Sequence, residues 1–210
     1  IKKTQNNNIL GTGPQKLILA HNFDNQDVTH WYMSEKIDGI RAYWDGQQLW
    51  SRTGKEIHAP SFFTQDLPKG IPLDGELFMN ESIALASTSN LFSKVCSITR
   101  KKIPVDEEWS NISFYVFDTV NHHLPFVDRY AIIKKLISKF CVILPQYIIR
   151  TRKEIDNFHA DITSRGGEGV MLREPNSMYV GKRTKDLLKL KTFYDTEVKI
   201  INYKSGEGKY

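Results

Sequence analysis

Short strand-like runs separated by turn residues dominate the first third of the chain and most limit the folds it can adopt. Residues 31–34 and 40–44 are rich in aromatic and aliphatic side chains, and they flank the pentapeptide 35–39. The dipeptide Asp45-Gly46 follows between apolar residues, which is a hairpin signal. This part of the chain is therefore predicted to be rich in β-strands.

Strands and helices are interleaved along the rest of the chain. Residues 114–117 form a continuous apolar run that ends at Asp118, as expected of a strand in a sheet covered on both faces. The other predicted strands are 73–79, 142–149 with an interruption at Pro145, 170–172 and 197–203. Apolar spacing predicts helices over 81–95, 127–140 and 153–164. The mixture favours an α+β or α/β domain.

Composition excludes several classes of protein. The 210 residues are 40% hydrophobic and 25% charged, which is ordinary for a globular protein and unlike disordered or fibrous chains. Lys and Arg exceed Asp and Glu by 29 to 24, and the net charge of +5 suits a polyanionic partner. Cys96 and Cys141 lack metal-ligand spacing and are predicted to be buried thiols. No apolar run is long enough to span a bilayer, so we expect a soluble protein without a membrane partner.

The hexapeptide KIDGIR, residues 36–41, places a lysine, an aspartate and an arginine around a glycine between two predicted strands. A lysine amine can act as a covalent nucleophile when nearby cations favour its neutral form, and arginine is shaped to hold phosphate. Seen alone, the same residues could form a surface turn with an ion pair. From the sequence alone, the motif is therefore either a phosphate-binding nucleophile motif or a surface turn.

Two glycine-containing segments supply carboxylates beside predicted strands. One is DGEL, residues 74–77, and the other is EGVMLR, residues 168–173. Carboxylate oxygens near phosphates are what Mg²⁺ requires. Because an acidic residue beside glycine is also a common turn pair, each segment alone could be a turn next to a core strand.

The pentapeptide LLKLK, residues 187–191, alternates apolar and basic side chains. On a strand, Lys189 and Lys191 would project from one face while Leu188 and Leu190 face the core. Two ammonium groups on one face repel each other unless an anion lies between them. The alternative is a solvated edge strand, since edges favour lysine.

In this order and at these intervals, the segments resemble the collinear motifs of covalent nucleotidyltransferases, specifically of ATP-dependent DNA ligases. KIDGIR is similar to motif I. The segment SRTGK, residues 51–55, resembles the element that follows motif I in that family. DGELF resembles motif III, FYVFD at 114–118 motif IIIa, EGVMLR motif IV and LLKLK motif V. The resemblance covers residues 17–210 nearly throughout and implies an α+β nucleotidyltransferase domain of antiparallel sheets flanked by helices.

The resemblance also implies a role for each matching residue. Lys36 would attack the α-phosphate of ATP, expel pyrophosphate and hold AMP through a phosphoramidate, with Lys189 and Lys191 gripping the α-phosphate. The further nucleotide contacts it implies are Glu35, Ile37, Arg41, Glu76 and Phe117. Arg41 would contact the phosphates or ribose, Glu76 the ribose, and Phe117 would stack on adenine. Phe117 could instead be an ordinary core aromatic residue.

Metal and nucleic-acid contacts follow from the same resemblance. Glu168 and Glu76 would hold Mg²⁺ or Mn²⁺ as cofactor with ATP. AMP would pass to the 5′-phosphate of nicked duplex DNA, and the 3′-hydroxyl would then displace it. The DNA-contacting residues implied are Arg52, Arg173, Lys182 and Arg183. RNA ligases and capping enzymes share the lysine motif and remain the alternative enzyme class; a non-catalytic nucleic-acid-binding module is the third hypothesis.

The resemblance sets the expected domain limits. Residues 1–15 are predicted to be a flexible lead, 16–194 the nucleotidyltransferase domain, and 195–210 the first strand and turn of an OB-fold domain. We expect a monomer. The expected compartment is intracellular, and periplasmic export stays open if a signal was removed upstream.

Overall fold

The computed structural model describes residues 13–80, 90–191 and 202. Within these ranges the chain forms strands interleaved with short helices. The strands are β1 (Leu19–Asn22), β2 (Tyr32–Lys36), β3 (Ile40–Trp44), β4 (Leu49–Ser51), β5 (Glu56–Ile57), β6 (Leu73–Met79), β7 (Ile112–Thr119), β8 (Cys141–Ile143), β9 (Tyr147–Ile148), β10 (Gly169–Arg173) and β11 (Arg183–Lys191). The helices are α1 (Ser61–Asp66), α2 (Leu91–Thr99), α3 (Asp106–Trp109), α4 (Phe126–Ile133) and α5 (Arg152–Ser164).

The strands form two sheets. Sheet A has the order β1-β11-β10-β2-β9, and sheet B has the order β5-β4-β3-β6-β7-β8. Most neighbouring strands are antiparallel, as predicted, but β1 pairs with β11 and β7 pairs with β8 in parallel. Strands β2 and β3 are consecutive in the chain yet lie in different sheets. The KIDG turn between them therefore connects the two sheets.

Three apolar clusters hold these layers together. The outer face of sheet B packs on α1, α2 and α3 through residues such as Phe63 and Trp109, whose rings are 4.9 Å apart. The outer face of sheet A packs on α5 through Ile155 and Ile162. A third cluster contains Tyr43 of β3 and Leu187 of β11, so it lies between the two sheets. Burial of these side chains from water stabilises the assembly.

Several predicted elements are confirmed by the structure. Asp45 and Gly46 begin the turn between β3 and β4, where the Asp45 carboxylate accepts hydrogen bonds from the Gln47 and Gln48 backbone amides. Gly46 has a φ of +96°, which glycine adopts readily. The predicted strand at 142–149 is divided around Pro145 into β8 and β9.

Helix α4 ends at Ile133, seven residues before the predicted limit of 140. The chain leaves the helix because Asp66 of α1 accepts hydrogen bonds from the Ser138 hydroxyl and, at 2.9 Å, from the Phe140 amide. Tertiary contacts therefore override the helical spacing. Ile137, which that spacing would have placed on a helix, is fully exposed.

Two other predictions fall partly or wholly outside the described residues. Of the predicted helix at 81–95, only the last part is described, and there α2 begins after Asn90, whose side chain accepts from the Ser93 amide. The predicted strand at 197–203 and the proposed start of an OB-fold domain lie outside the described residues except for position 202. The predicted domain limits remain predictions.

Ordered contacts begin slightly before the predicted limit of the lead. The Gly13 amide donates to the Asp45 carboxylate at 2.7 Å, and Pro14 lies beside Gly54. The described end of the lead thus packs on the turns at both ends of β4. Among the described residues, no helix has the length and apolar character needed to cross a membrane.

Candidate active site

A cleft of about 290 Å³ lies between the sheets and collects most of the predicted site residues. The predicted residues that line it are Glu35, Lys36, Ile37, Arg41, Arg52, Glu76, Phe117, Arg173, Arg183, Lys189 and Lys191. Glu168 joins them through an ion pair with Lys36. Segments far apart in the sequence are therefore brought together in one cavity.

The register of sheet A explains why the lysines converge. Lys36 of β2 and Lys191 of β11 are both paired with Gly169 of β10, so they lie in one cross-strand row. Lys189 belongs to the next row on this face, opposite Met171. Since β11 lies between β1 and β10, the alternative of a solvated edge strand for LLKLK is wrong.

Glu168 bridges two of the three lysines. Its carboxylate accepts hydrogen bonds from the Lys36 ammonium group and, at 2.9 Å, from that of Lys191. Burial opposes ionisation of Glu168, but the hydrogen bonds from the two lysines outweigh it and lower the pKa of its carboxyl group. Glu168 is therefore an anion held between two cations at the mouth of the cleft.

Lys189 makes no ion pair with a residue in the part of the chain that the structure describes. Burial, followed by the positive charges of Lys191 and Lys36, lowers the pKa of its ammonium group. A cation in this position gains from a bound anion. The geometry thus provides an anion site beside the Lys36 amine.

The opposite wall of the cleft comes from sheet B. Arg41 of β3 donates to both carboxylate oxygens of Asp74, at 2.6 and 2.7 Å. Glu76, which is paired with Arg41 across the strands, is half-buried, and the resulting desolvation raises the pKa of its carboxyl group to about 7. The Asp74-Gly75-Glu76 segment lies within β6, so the alternative of a simple turn is wrong for it.

Gly39 allows the KIDG turn to pack on this wall. A Cβ atom at position 39 would collide with the carbonyl oxygen of Leu77 and the side chain of Glu76. Because only glycine tolerates this approach, the turn brings Lys36 against β6. The motif is therefore more than an exposed turn with an ion pair.

A β-bulge aims Phe117 into the cleft. In the pairing of β6 with β7, Asp74 is opposite Asp118 and Gly75 is opposite Val116, so Phe117 is the extra residue. The Arg41 guanidinium lies 4.7 Å from the centre of its ring. Phe117 belongs to none of the core clusters found among the described residues, and it lines the cleft instead. This position favours a ligand platform over a core role.

Glu35 and Ile37 flank the proposed nucleophile, and both line the cleft. The Glu35 carboxylate accepts a hydrogen bond from Arg165 at 2.6 Å. Arg165 follows α5, so this ion pair joins the end of the helix to β2. Sequence reasoning did not include Arg165, because nothing in its local pattern marks it.

Three of the four residues predicted to contact DNA are exposed. Arg52 lies in the turn after β4, Lys182 directly precedes β11, and Arg183 is its first residue. The Arg183 guanidinium donates to the carbonyl oxygen of Ala20. Their contact with DNA remains a prediction.

Arg173 differs from these three, because only 5% of it is exposed. Residues 169, 171 and 173 of β10 face the cleft, and α4 covers the last of them through Phe126, whose ring lies 4.8 Å from the Arg173 guanidinium. This burial argues against a direct DNA contact. The alternation of side chains along β10 could have predicted from the sequence that Arg173 faces the cleft and not the surface.

Sequence reasoning missed a buried ionic group behind the cleft. Arg129 of α4 donates to both oxygens of Asp118, at 2.7 and 3.1 Å, and both side chains are fully buried. Tyr179 donates to Asp74 at 2.7 Å. Asp118 ends a run that was recognised, but its partner, 11 residues away on a helix, carries no local signal.

Comparison with known proteins points to one family. A model of the ATP-dependent DNA ligase domain matches residues 17–191. The chain is 33% identical over 198 residues to a DNA ligase of Haemophilus influenzae, and the match covers 92% of this chain and 70% of that protein.

Solved structures give the same result. A Lig E DNA ligase structure, described as DNA binding with a minimal scaffold, has a TM-score of 0.79 at 28% identity, over 93% of this chain and 75% of that one. The Chlorella virus DNA ligase-adenylate has a TM-score of 0.68 at 25% identity, over 86% and 70%. The fold predicted from the resemblance is confirmed by these structures. With its nucleotidyltransferase fold and its cleft of motif residues, the chain belongs to the family of ATP-dependent DNA ligases.

Proposed function

We propose that this chain activates and seals DNA ends through a covalent lysyl-AMP intermediate on Lys36. The nitrogen of the Lys36 side chain attacks the α-phosphorus of ATP, a P–N bond forms, and pyrophosphate leaves. AMP then passes to the 5′-phosphate of a nick, and the 3′-hydroxyl displaces it to form the phosphodiester bond. The observation that carries the proposal is the position of Lys36 beside Lys189, a cation without an ion pair to any described residue.

The charges at the mouth suit phosphoryl transfer. Lys189 and Lys191 project from β11 on the same face as Lys36, where they would hold the α-phosphate and neutralise the charge that develops on it. Glu168 holds Lys36 and Lys191 in place before the nucleotide binds. Lys36 must lose its ammonium proton before it can attack.

The nucleoside would lie deeper in the cleft. Phe117 would stack on adenine, and Arg41 would support the Phe117 ring from the other side while its guanidinium stays bound to Asp74. Glu76 would bind the ribose hydroxyls, and Glu35 and Ile37 would border the base. Each role rests on the residue's position in the cleft wall.

The residues present fit a divalent cation bound together with ATP. Within residues 13–80, 90–191 and 202, no group of three or more His, Cys, Asp and Glu side chains could hold a metal ion by itself. Mg²⁺, however, is usually held by one or two carboxylates together with substrate phosphates and water. Glu168 and Glu76 would supply those carboxylates, and Mg²⁺ or Mn²⁺ would add charge stabilisation at the transferring phosphate.

Nicked duplex DNA is the proposed polynucleotide substrate of a monomeric protein. Arg52 and Arg183 line the rim of the cleft, and Lys182 is exposed next to Arg183. Their positive charges, together with the net charge of +5, would bind phosphates on both sides of the nick. Arg52 would bind the 5′-phosphate.

The proposal is tested by intact mass measurement after incubation with Mg²⁺ and either ATP or GTP. We expect the mass of one AMP to be added from ATP and none from GTP. The adenylated protein is then offered nicked DNA and nicked RNA, and we expect sealing of the DNA. Preferential labelling by GTP would instead indicate a capping-type enzyme, and sealing of RNA alone an RNA ligase.

A further inference from the structure

Arg173 is a buried arginine whose guanidinium group makes no hydrogen bond to any residue that the structure describes. Its closest anionic atom is an oxygen of Asp118, 3.4 Å from Nη1, and its flat face lies against the ring of Phe126. A guanidinium carries five N–H donors, and buried donors without partners are rare in folded proteins. The group therefore requires an acceptor that residues 13–80, 90–191 and 202 do not supply.

Asp118 cannot supply that acceptor fully. Arg129 donates to both of its oxygens, and the Thr119 amide donates to one of them at 2.8 Å. The bidentate geometry of Arg129 is the favourable one for a carboxylate. Arg173 is thus a second cation next to an anion that is already paired.

The position of Arg173 on β10 indicates what the acceptor is. Arg173 lines the cleft, on the same face of the strand as Met171 and Gly169. Gly169 is paired with Lys36, so Arg173 lies four residues, or about 13 Å along the strand, from the proposed nucleophile. A nucleotide with its α-phosphate at Lys36 and its base against Met171 would extend towards Arg173.

The surroundings of Arg173 suit a base edge better than a phosphate. Phe126 and Leu144 line this end of the cleft and are both buried. Ser34, opposite Met171, and Gln146 also line the cleft, and a few placed polar groups in an apolar compartment fix the orientation of a flat ligand. A guanidinium only donates, so it can bond to the ring nitrogens of adenine but not to the exocyclic amine.

We infer that Arg173 is a specificity-determining residue that donates a hydrogen bond to one ring nitrogen of the adenine of ATP. The inference rests on the proposed function, because it takes the α-phosphate to lie at Lys36. It replaces the DNA contact predicted for this residue. It also gives the Arg173 Nη1 atom a hydrogen-bond acceptor, which no described residue provides.

The experiment compares single-turnover adenylation with ATP and with 1-deaza-, 3-deaza- and 7-deaza-ATP. Each analogue replaces one ring nitrogen by C–H. We expect wild type to use one of the three about 10–100-fold less efficiently than ATP, the range for loss of a hydrogen bond to a charged group. We expect Arg173→Met to lose about the same factor with ATP and to no longer distinguish that analogue from ATP.

Two controls separate this role from a structural one. Arg152→Met removes an exposed arginine paired with Asp156 and should leave all four rates unchanged. Melting temperatures identify any variant that fails to fold, and Arg173→Lys, which keeps the charge, then takes the place of Arg173→Met in the comparison of analogues.

Other results overturn the inference. One such result is that wild type is adenylated at equal rates by all four nucleotides. Another is that the Arg173 variant slows adenylation by all four nucleotides by the same factor, because Arg173 would then only support the fold. If wild type gains no AMP from ATP at all, the proposed function fails instead.

Discussion

Two regions use the same kinds of charged side chain in different surroundings: the mouth of the cleft, with Lys36, Glu168 and Lys191, and the buried group behind the cleft, called the deep end, with Asp118 and Arg129. At the mouth, the side chains of Lys36, Glu168 and Lys191 are 24%, 18% and 29% exposed. At the deep end, those of Asp118 and Arg129 are both 0% exposed. Solvated ion pairs can be exchanged for a ligand at little cost, whereas buried ones cannot be opened without leaving a charge stranded.

The deep pair also connects more of the structure. Arg129 donates from Nη1 to the carbonyl oxygens of Leu124 and Ser177, besides its bonds to Asp118. It therefore links β7, α4 and the loop that leads to β11. The deep end thus joins α4 to sheet B and to the loop before β11, whereas the side chains at the mouth retain access to water.

The largest effect is expected for a substitution at the mouth of the cleft, and it should appear in adenylation activity. Lys36→Ala should abolish covalent AMP formation, because no other group would replace the proposed nucleophile. Lys36→Arg should fail as well, since a guanidinium stays protonated. Both variants should keep the melting temperature within a few degrees, because the Lys36 pair is partly solvated. Intact mass after incubation with ATP is the measurement, and added AMP in either variant would remove Lys36 from its role.

The next largest effect is expected at the deep end, in stability. Asp118→Asn leaves Arg129 and Arg173 buried without an anion, so the free energy of unfolding should fall by about 3–5 kcal/mol. Chemical denaturation measures this change. Asp156→Asn, in an exposed pair with Arg152, is the matched control and should cost at most about 0.5 kcal/mol. Similar losses in the two variants would contradict the distinction between exposed and buried pairs.

The two regions also differ in how far the sequence could predict them. The lysines and glutamates of the mouth lie in short motifs whose spacing can be recognised, and the alternation in LLKLK correctly predicted Lys189 and Lys191 on one face. The partner of Asp118 could not be predicted in this way. Arg129 lies on a separate helix, and its pairing depends on how that helix packs against β7.

The β-bulge in β7 is a second feature that the sequence could not provide. Strict alternation would place Phe117 and Asp118 on opposite faces of the strand. The bulge shifts the register between Val116 and Asp118, so that Phe117 enters the cleft while Asp118 stays opposite Asp74. Since bulges depend on pairing with a neighbouring strand, the choice between a core residue and an adenine platform needed the structure.

The substitution Phe117→Leu distinguishes a core role of Phe117 from a role as an adenine platform. The substitution keeps most of the apolar volume but removes the aromatic face, so we expect ATP binding to weaken by about 1–3 kcal/mol, the range for stacking on a base. The melting temperature should change little, since Phe117 is only partly buried. Calorimetric titration measures the ATP affinity, and thermal melting measures the melting temperature. Unchanged ATP affinity with a lowered melting temperature would return Phe117 to a core role.

The smallest effect is expected for the stability of Glu168→Gln. This change removes a negative charge that bridges Lys36 and Lys191, and a buried site would respond with a large loss of stability. Here the side chains retain access to water, which can solvate the freed ammonium groups. We therefore expect the free energy of unfolding to change by less than about 1 kcal/mol, and less still at high salt, where repulsion among the lysines is screened. Denaturant titrations of wild type and Glu168→Gln at low and high salt measure this difference. A loss close to that of Asp118→Asn would mean that the mouth is as rigidly built as the deep end, and that ATP must break a strong pair to reach Lys36.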